Sequence, residues 1–207
     1  MAIDTYGGLK TSVGTWLNRA DLTSYIPDFI RLGEQRIYYG GEGNFLSPPL
    51  RIPAMQTSAS GTITSSSIAF PTRFVEPIRI KAISGTTGWS LVYMAPERFS
   101  EAQNSTSEPT AYTYLENAIQ TAGTGAADYT IDYYQSFAAL TADADTNWIL
   151  ANAPGVYLYA ALIEAAPFLG DDPKLSLWAS MLNSSIASVN RATKYQGGGS
   201  LATRVVR

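Results

Sequence analysis

Apolar residues at the start of the chain recur at helical spacing. Tyr6, Leu9, Val13, Trp16 and Leu17 share one face of a 3.6-residue period, and Asp4 is placed to cap the first turn. Asn18–Asp21 breaks the pattern. A second run of Leu22, Ile26, Phe29, Ile30, Gly33 and Ile37 predicts another helix. Pro27 is tolerated only in a first turn, so the robust part of that helix begins between Ser24 and Pro27. The run Gly40-Gly41-Glu42-Gly43 supplies its stop.

From Leu46 to about Tyr134 the period changes. Short alternating runs predict strands at Thr62-Ile63-Thr64, Ser67 to Phe70, Val75 to Ile83, Trp89 to Tyr93, Tyr112 to Leu115 and Tyr129 to Tyr134. In Ile78-Arg79-Ile80-Lys81-Ala82-Ile83 apolar and charged residues alternate, the pattern of a half-buried antiparallel strand. Clusters of Gly, Pro, Ser and Asn separate the runs and mark turns.

Helical spacing returns after Asp143. Trp148–Leu150 opens a short segment, and Asn152 with Pro154 predicts a fresh start. Val156 to Leu169 is apolar on nearly every side, with Glu164 its one charge, which predicts a helix buried within the subunit or between subunits. Gly170-Asp171-Asp172-Pro173 offers a stop, a cap and a first-turn proline. Leu175, Trp178, Leu182, Ser185 and Val189 place the last helix, and Arg191 and Lys194 suit its C-terminal dipole. Beyond it, Gly197, Gly198 and Gly199 form a hinge. Leu201, Arg204, Val205, Val206 and Arg207 then give apolar and basic groups that a partner could order.

These elements predict an α+β fold. Helices at 1–45 and 141–196 form an antiparallel bundle of four main helices. An antiparallel β-domain is inserted at 46–140, and 197–207 is an extended C-terminal tail. The chain of 207 residues is long enough to bury a substantial core.

Charge adds an asymmetry to this outline. Residues 1–96 carry eight basic and six acidic side chains, residues 97–172 one and eleven, and residues 173–207 five and none. An acidic middle followed by a basic end suits a subunit that meets different partners at its two ends. Capping of turns and helix starts is the competing explanation for many of the acids.

Composition removes most chemistry. Without His or Cys, imidazole triads, thiol nucleophiles, thiolate or imidazole zinc sites, iron–sulfur ligation and disulfides are excluded. The opening MAIDTYGGLK lacks the basic and apolar regions of a signal peptide, and no apolar run reaches membrane-spanning length, so a soluble protein is expected. Asp143-Ala144-Asp145-Thr146-Asn147 copies the first ligands of a calcium loop, but Trp148 and Pro154 stand where the loop needs Gly and Glu. Helix capping explains those residues better. Gly41-Glu42-Gly43 lacks the strand and helix that frame a dinucleotide fingerprint. No catalytic, metal or cofactor site is expected.

The order of parts resembles the head-to-tail adaptors of short-tailed bacteriophages. The resemblance covers nearly the whole chain. It rests first on Thr5-Tyr6, Leu9, Val13, Trp16-Leu17-Asn18-Arg19, Asp21-Leu22 and Ile26-Pro27-Asp28-Phe29-Ile30. It continues through Phe74-Val75-Glu76-Pro77 and Pro96-Glu97-Arg98-Phe99. The most specific stretch is Tyr133-Tyr134, Leu140, Asn147-Trp148-Ile149-Leu150, Pro154, Tyr157 to Leu162, Glu164-Ala165, Asp171-Asp172 and Trp178. Pro167 departs from the expected course of its helix.

The resemblance implies a structural virion protein and not an enzyme. It implies a ring, dodecameric to match the portal, that bridges the portal protein and the tail nozzle and completes the channel for double-stranded DNA. The expected location is the head–tail interface of the virion, reached from the host cytoplasm during assembly, with no membrane partner. Gly197, Gly198, Gly199, Leu201, Arg204, Val205, Val206 and Arg207 are the expected portal-binding residues. Acids within 97–172 lining the lumen would repel DNA phosphates and let the genome slide. A β-rich carbohydrate-binding module of a fibre or surface protein, reading glycans with Tyr and Trp, is the alternative.

Overall fold

The computed structural model describes residues 3–41, 47–102, 108–123, 125, 127–170 and 174–196. The fold is mixed α+β, with six α-helices among the described residues and two mainly antiparallel sheets. The chain divides into two compact units. One draws on both ends of the sequence, up to Ala54 and from Phe137 onward; the other is Met55–Ser136.

The helical unit begins with α1 (Tyr6–Leu17). Thr5, rather than Asp4, is its N-cap: the threonine hydroxyl accepts from the Gly8 N–H at 3.2 Å. Asn18 ends the helix in the left-handed conformation, φ 51°, a place where Asn is among the few tolerated residues. Tyr6, Leu9, Val13 and Leu17 are buried as their spacing predicts, but Trp16 is 46% exposed and meets Tyr159 edge-on. A 3-10 turn, Ala20–Leu22, leads into α2 (Ile26–Tyr39), which holds Pro27 in its first turn.

After the second unit the chain returns through Asp145, whose carboxylate accepts the backbone N–H groups of Thr141 and Ala142 at 2.7 Å each. Asn147 caps α4 (Trp148–Asn152), accepting from the Leu150 N–H. Of this calcium-like run only Asn147 caps a helix; the Asp145 carboxylate holds the preceding turn, and that of Asp143 pairs with Lys10. Asn152 does not cap the next helix; its amide donates to the Trp148 carbonyl, and α5 (Pro154–Leu169) starts from Ala153 without a side-chain cap.

Helix α5 is the hub of this unit, packing on α1, α2, α4 and α6 (Leu175–Gln196). Its all-round apolar sequence matches that position, with Tyr157, Ala160, Ala161 and Leu162 at most 1% exposed. Pro167 stands inside the last turn of α5, which continues to Leu169, and costs the helix one backbone hydrogen bond there. Gly33 of α2 lets the two helices approach: a Cβ there would sit 3.1 Å from the Ala160 carbonyl carbon and the Ala161 nitrogen. Helix α6 buries Trp178, Leu182 and Ile186, and its Asn190 clamps the strap after α2 by accepting from the Arg51 N–H and donating to the Pro49 carbonyl.

The second unit holds eight strands among its described residues. One sheet has the order β1 (Gln56–Thr62), β8 (Asp128–Gln135), β3 (Phe74–Ser84), β4 (Thr87–Ser90), antiparallel throughout. The other has the order β2 (Ser67–Ala69), β7 (Ala118–Ala122), β6 (Ala111–Leu115), β5 (Val92–Tyr93), with only the β5–β6 pair parallel. Ile80, Ala82 and Ile131 of the first sheet join Ile68 and Ile119 of the second in one buried cluster. Pro77 lies inside β3, where a ladder N–H is lost, and it coincides with a register shift between Pro77 and Arg79. That shift also explains why Ile78 is exposed while Ile80 and Ala82 point inward. A short helix, α3 (Pro96–Ala102), interrupts the strands and covers Ala111 and Ala122 with Phe99. Gly123 has φ 120°, and a Cβ there would lie 2.5 Å from the Glu108 carbonyl oxygen, so glycine is required.

Candidate interaction surfaces

Several carboxylates of the described residues are engaged in structural contacts. In the helical unit Arg36 and Glu164 join α2 to α5 at 2.6 Å, and Lys10 meets Asp143 at 2.6 Å. Glu34 of α2 accepts from the Tyr157 hydroxyl at 3.0 Å, and the same hydroxyl accepts from the Asn147 amide at 2.8 Å. The Tyr157 hydroxyl thus ties α2 and α5 to the cap of α4. Burial raises the Glu34 carboxyl above its ordinary value despite that hydrogen bond and the nearby Arg31 charge. Burial, with the nearby Tyr38 and Glu34 next, pushes the Tyr157 phenol up as well.

In the β unit Asp132 accepts from the Ser58 hydroxyl at 2.6 Å and pairs with Arg79, which together hold its carboxyl below the usual range. Among the described residues no cluster of acids is arranged to hold a metal, and no helix is long and apolar enough to cross a membrane.

Several open features remain on each unit. A groove of about 750 Å³ runs along the small-residue side of α1, floored by Gly7, Thr11, Gly14 and Ile26. Tyr25 and Phe168, the latter 54% exposed, meet at a tilt beside buried Phe29 at the start of α2. In the β unit Tyr93, Tyr112 and Tyr114 form a mutual aromatic contact group, with ring centroids 5.7–5.9 Å apart. Burial is the main cause of the raised Tyr114 phenol. These are surfaces for contact rather than pockets built around a reacting group.

A family model described as SU10 adaptor protein matches residues 4–204. The chain belongs to the SU10 adaptor protein family. The match supports the resemblance to phage head-to-tail adaptors and makes the chain a phage structural adaptor, a virion component that meets other virion components. This family is not a known enzyme class. No curated protein gives a match.

The residues expected to bind the portal in this adaptor, Gly197 to Gly199, Leu201, Arg204, Val205, Val206 and Arg207, lie outside the described residues; the description ends at Gln196 in α6. The acidic block is divided. Glu97, Glu108, Glu116, Asp128 and Asp132 belong to the β unit, and Asp143, Asp145 and Glu164 to the helical unit. Sequence reading missed the Glu34–Tyr157–Asn147 network, because its members are far apart in the chain. The one local signal was Asn147 as a cap.

Proposed function

We propose that this adaptor assembles as a ring, dodecameric to match a portal, that joins the portal protein to the tail nozzle at the head–tail interface. In this reading helices α1, α2, α5 and α6 form the antiparallel bundle of each subunit, and the inserted β-domain and the tail 197–207 are its parts for contact. The tail is the portal-docking arm: a triple-glycine hinge followed by Leu201, Arg204, Val205, Val206 and Arg207 suits strand addition or groove docking on a preformed acidic surface. Acids of the 97–172 block that face the lumen keep DNA phosphates from adhering during packaging and ejection.

The observation that carries the reading is the family match across residues 4–204. The test is co-sedimentation with the portal ring of the same phage, using the full chain and a chain ending at Gln196. Binding by the full chain alone supports both the adaptor and its arm; binding by both removes the arm. Binding by neither at micromolar concentration turns attention to the carbohydrate-binding alternative, for which the Tyr93–Tyr112–Tyr114 group is the supporting observation. Glycan binding by the full chain would then be the next measurement.

A further inference from the structure

The two sheets of the β unit treat their outer strands differently. In the second sheet the edges are β2 and β5, three and two residues long, too short to template another strand. In the first sheet the edges are β1 and β4, each hydrogen-bonded, among the described residues, to a neighbour on one side only. Edge strands are ordinarily guarded by charge, proline or a bulge. Strand β1, Gln-Thr-Ser-Ala-Ser-Gly-Thr, has neither charge nor proline and runs seven residues in unbroken register from Gln56 opposite Tyr134 to Thr62 opposite Asp128. Strand β4, Thr-Gly-Trp-Ser, is shorter, at four residues, but likewise carries neither charge nor proline.

We propose that these edges are the contact between copies of this chain, β4 of one copy adding antiparallel to β1 of the next. The inference rests on the ring reading above and names the surface through which the ring closes.

Strand polarity supports it. The first sheet has four strands and is antiparallel at every pair, so β1 and β4 point in opposite directions. A second copy in the same orientation therefore presents β4 antiparallel to β1, and the alternation continues across the junction. Such a head-to-tail contact uses each edge once and gives a ring where the rotation between copies closes, as the ring reading requires. Pairing of β1 with β1 would stop at a dimer and leave β4 open.

Charge supports it too. On the outer face Asp128 and Asp132 stand one strand in from the β1 edge, and Arg79 and Lys81 one strand in from the β4 edge. The junction places the basic row of one copy three strand spacings, about 14 Å, from the acidic row of the next, so this contribution is a long-range one. Between them on that face lie Ser58, Ser60 and Thr62 of β1 and Gly88 and Ser90 of β4, and the Thr62 hydroxyl donates to Asp128 at 2.8 Å. Arg79 and Asp132 already pair within the chain, whereas Lys81 and Asp128 form no ion pair among the described residues.

The chain has no cysteine, so introduced thiols report the contact directly. Opposed residues on adjacent antiparallel strands have Cα atoms about 4.5–5.5 Å apart, within disulfide reach. Ser58→Cys, Ser60→Cys and Thr62→Cys would each be combined with Ser90→Cys to cover neighbouring registers. Assembled particles, formed free or on the portal ring, would then be oxidised. The expected result is a ladder of covalent multimers from at least one pair and none from any single variant. Particles that assemble but give no ladder from all three pairs overturn the edge contact and leave the ring. A covalent dimer from Ser60→Cys alone overturns it in favour of two-fold β1 pairing. A chain that stays monomeric both free and on the portal ring removes the ring reading and this inference with it. Independently, Ser60→Lys should raise the concentration needed for assembly at least tenfold with unchanged circular dichroism; unchanged assembly counts against the proposal.

Discussion

The two units satisfy their backbones in different ways, and the difference decides what each can offer a partner. Helices α1, α2, α5 and α6 close their hydrogen bonds internally, so the helical unit presents side chains, such as the Tyr25–Phe168 pair, and little else. The β unit closes its ladders between strands and leaves two unpaired edges on one sheet. Its charges also sit differently. Arg36–Glu164 is four-fifths buried between two helices, whereas Arg79 of the Arg79–Asp132 pair is half exposed on an outer sheet face. A chain that combines a cohesive helical unit with a β unit of open edges suits a subunit that must both hold its shape and join others.

The largest effect should come from the helical core. Phe29 is 1% exposed and packs edge-on against Phe168 at 5.0 Å. Phe29→Ala should lower stability by about 4 kcal/mol, read from urea unfolding, because truncation of a packed aromatic leaves a cavity. Loss below about 1 kcal/mol would mean that this core is loosely packed and would break the contrast with the β unit. Next comes the polar tie at the centre of the same unit. Tyr157→Phe strips Glu34 of its donor and Asn147 of its acceptor. The expected cost is about 1–2 kcal/mol, the penalty for leaving half-buried polar groups unpaired. A double-mutant cycle with Asn147→Ala should show strong non-additivity, since the two share one hydrogen bond.

Much of this architecture was legible where one period ruled. The faces of α1, α2 and α6 followed from spacing, and the uniform apolarity of α5 announced burial, within the subunit or between subunits; the structure places it at the hub of the helical unit. The exceptions have physical causes. Trp16 fell on the right face but at its margin, where an aromatic ring can lie against Tyr159 and stay half in water. The run Thr62-Ile63-Thr64 met strand β1 only at Thr62; Gln56–Gly61 has no apolar alternation, and its pairing with β8 makes it a strand. Strand β7 and helix α3 were missed for a related reason. Each is five to seven residues long, and its conformation depends on neighbours such as β6 that sequence periodicity cannot place. The open edges could be seen only after the strand order was known.

The smallest effects separate the units by the sign of their response to pH. Asp132 has a carboxyl held below its ordinary 3.8 by Ser58 and Arg79. Its contribution is present above that value and is lost as pH falls through the lower folded one. Asp132→Asn should therefore cost under about 1 kcal/mol near neutrality, as for exposed pairs, and nothing in strong acid. Glu34 is the reverse case. Its folded value lies above the ordinary 4.5 because burial disfavours the charged form. The folded chain then binds the proton more tightly than the unfolded chain, so stability declines as pH rises from about 4.5 through the folded value. Glu34→Gln keeps an acceptor for the Tyr157 hydroxyl and removes the ionisation, so this decline should flatten while the Asp132 acid limb persists. Urea midpoints measured between pH 3 and pH 8 on the parent and both variants resolve the two limbs. If Glu34→Gln left the neutral limb unchanged, the carboxyl would have to be well solvated, and the helical unit would be wetter at its centre than its packing indicates.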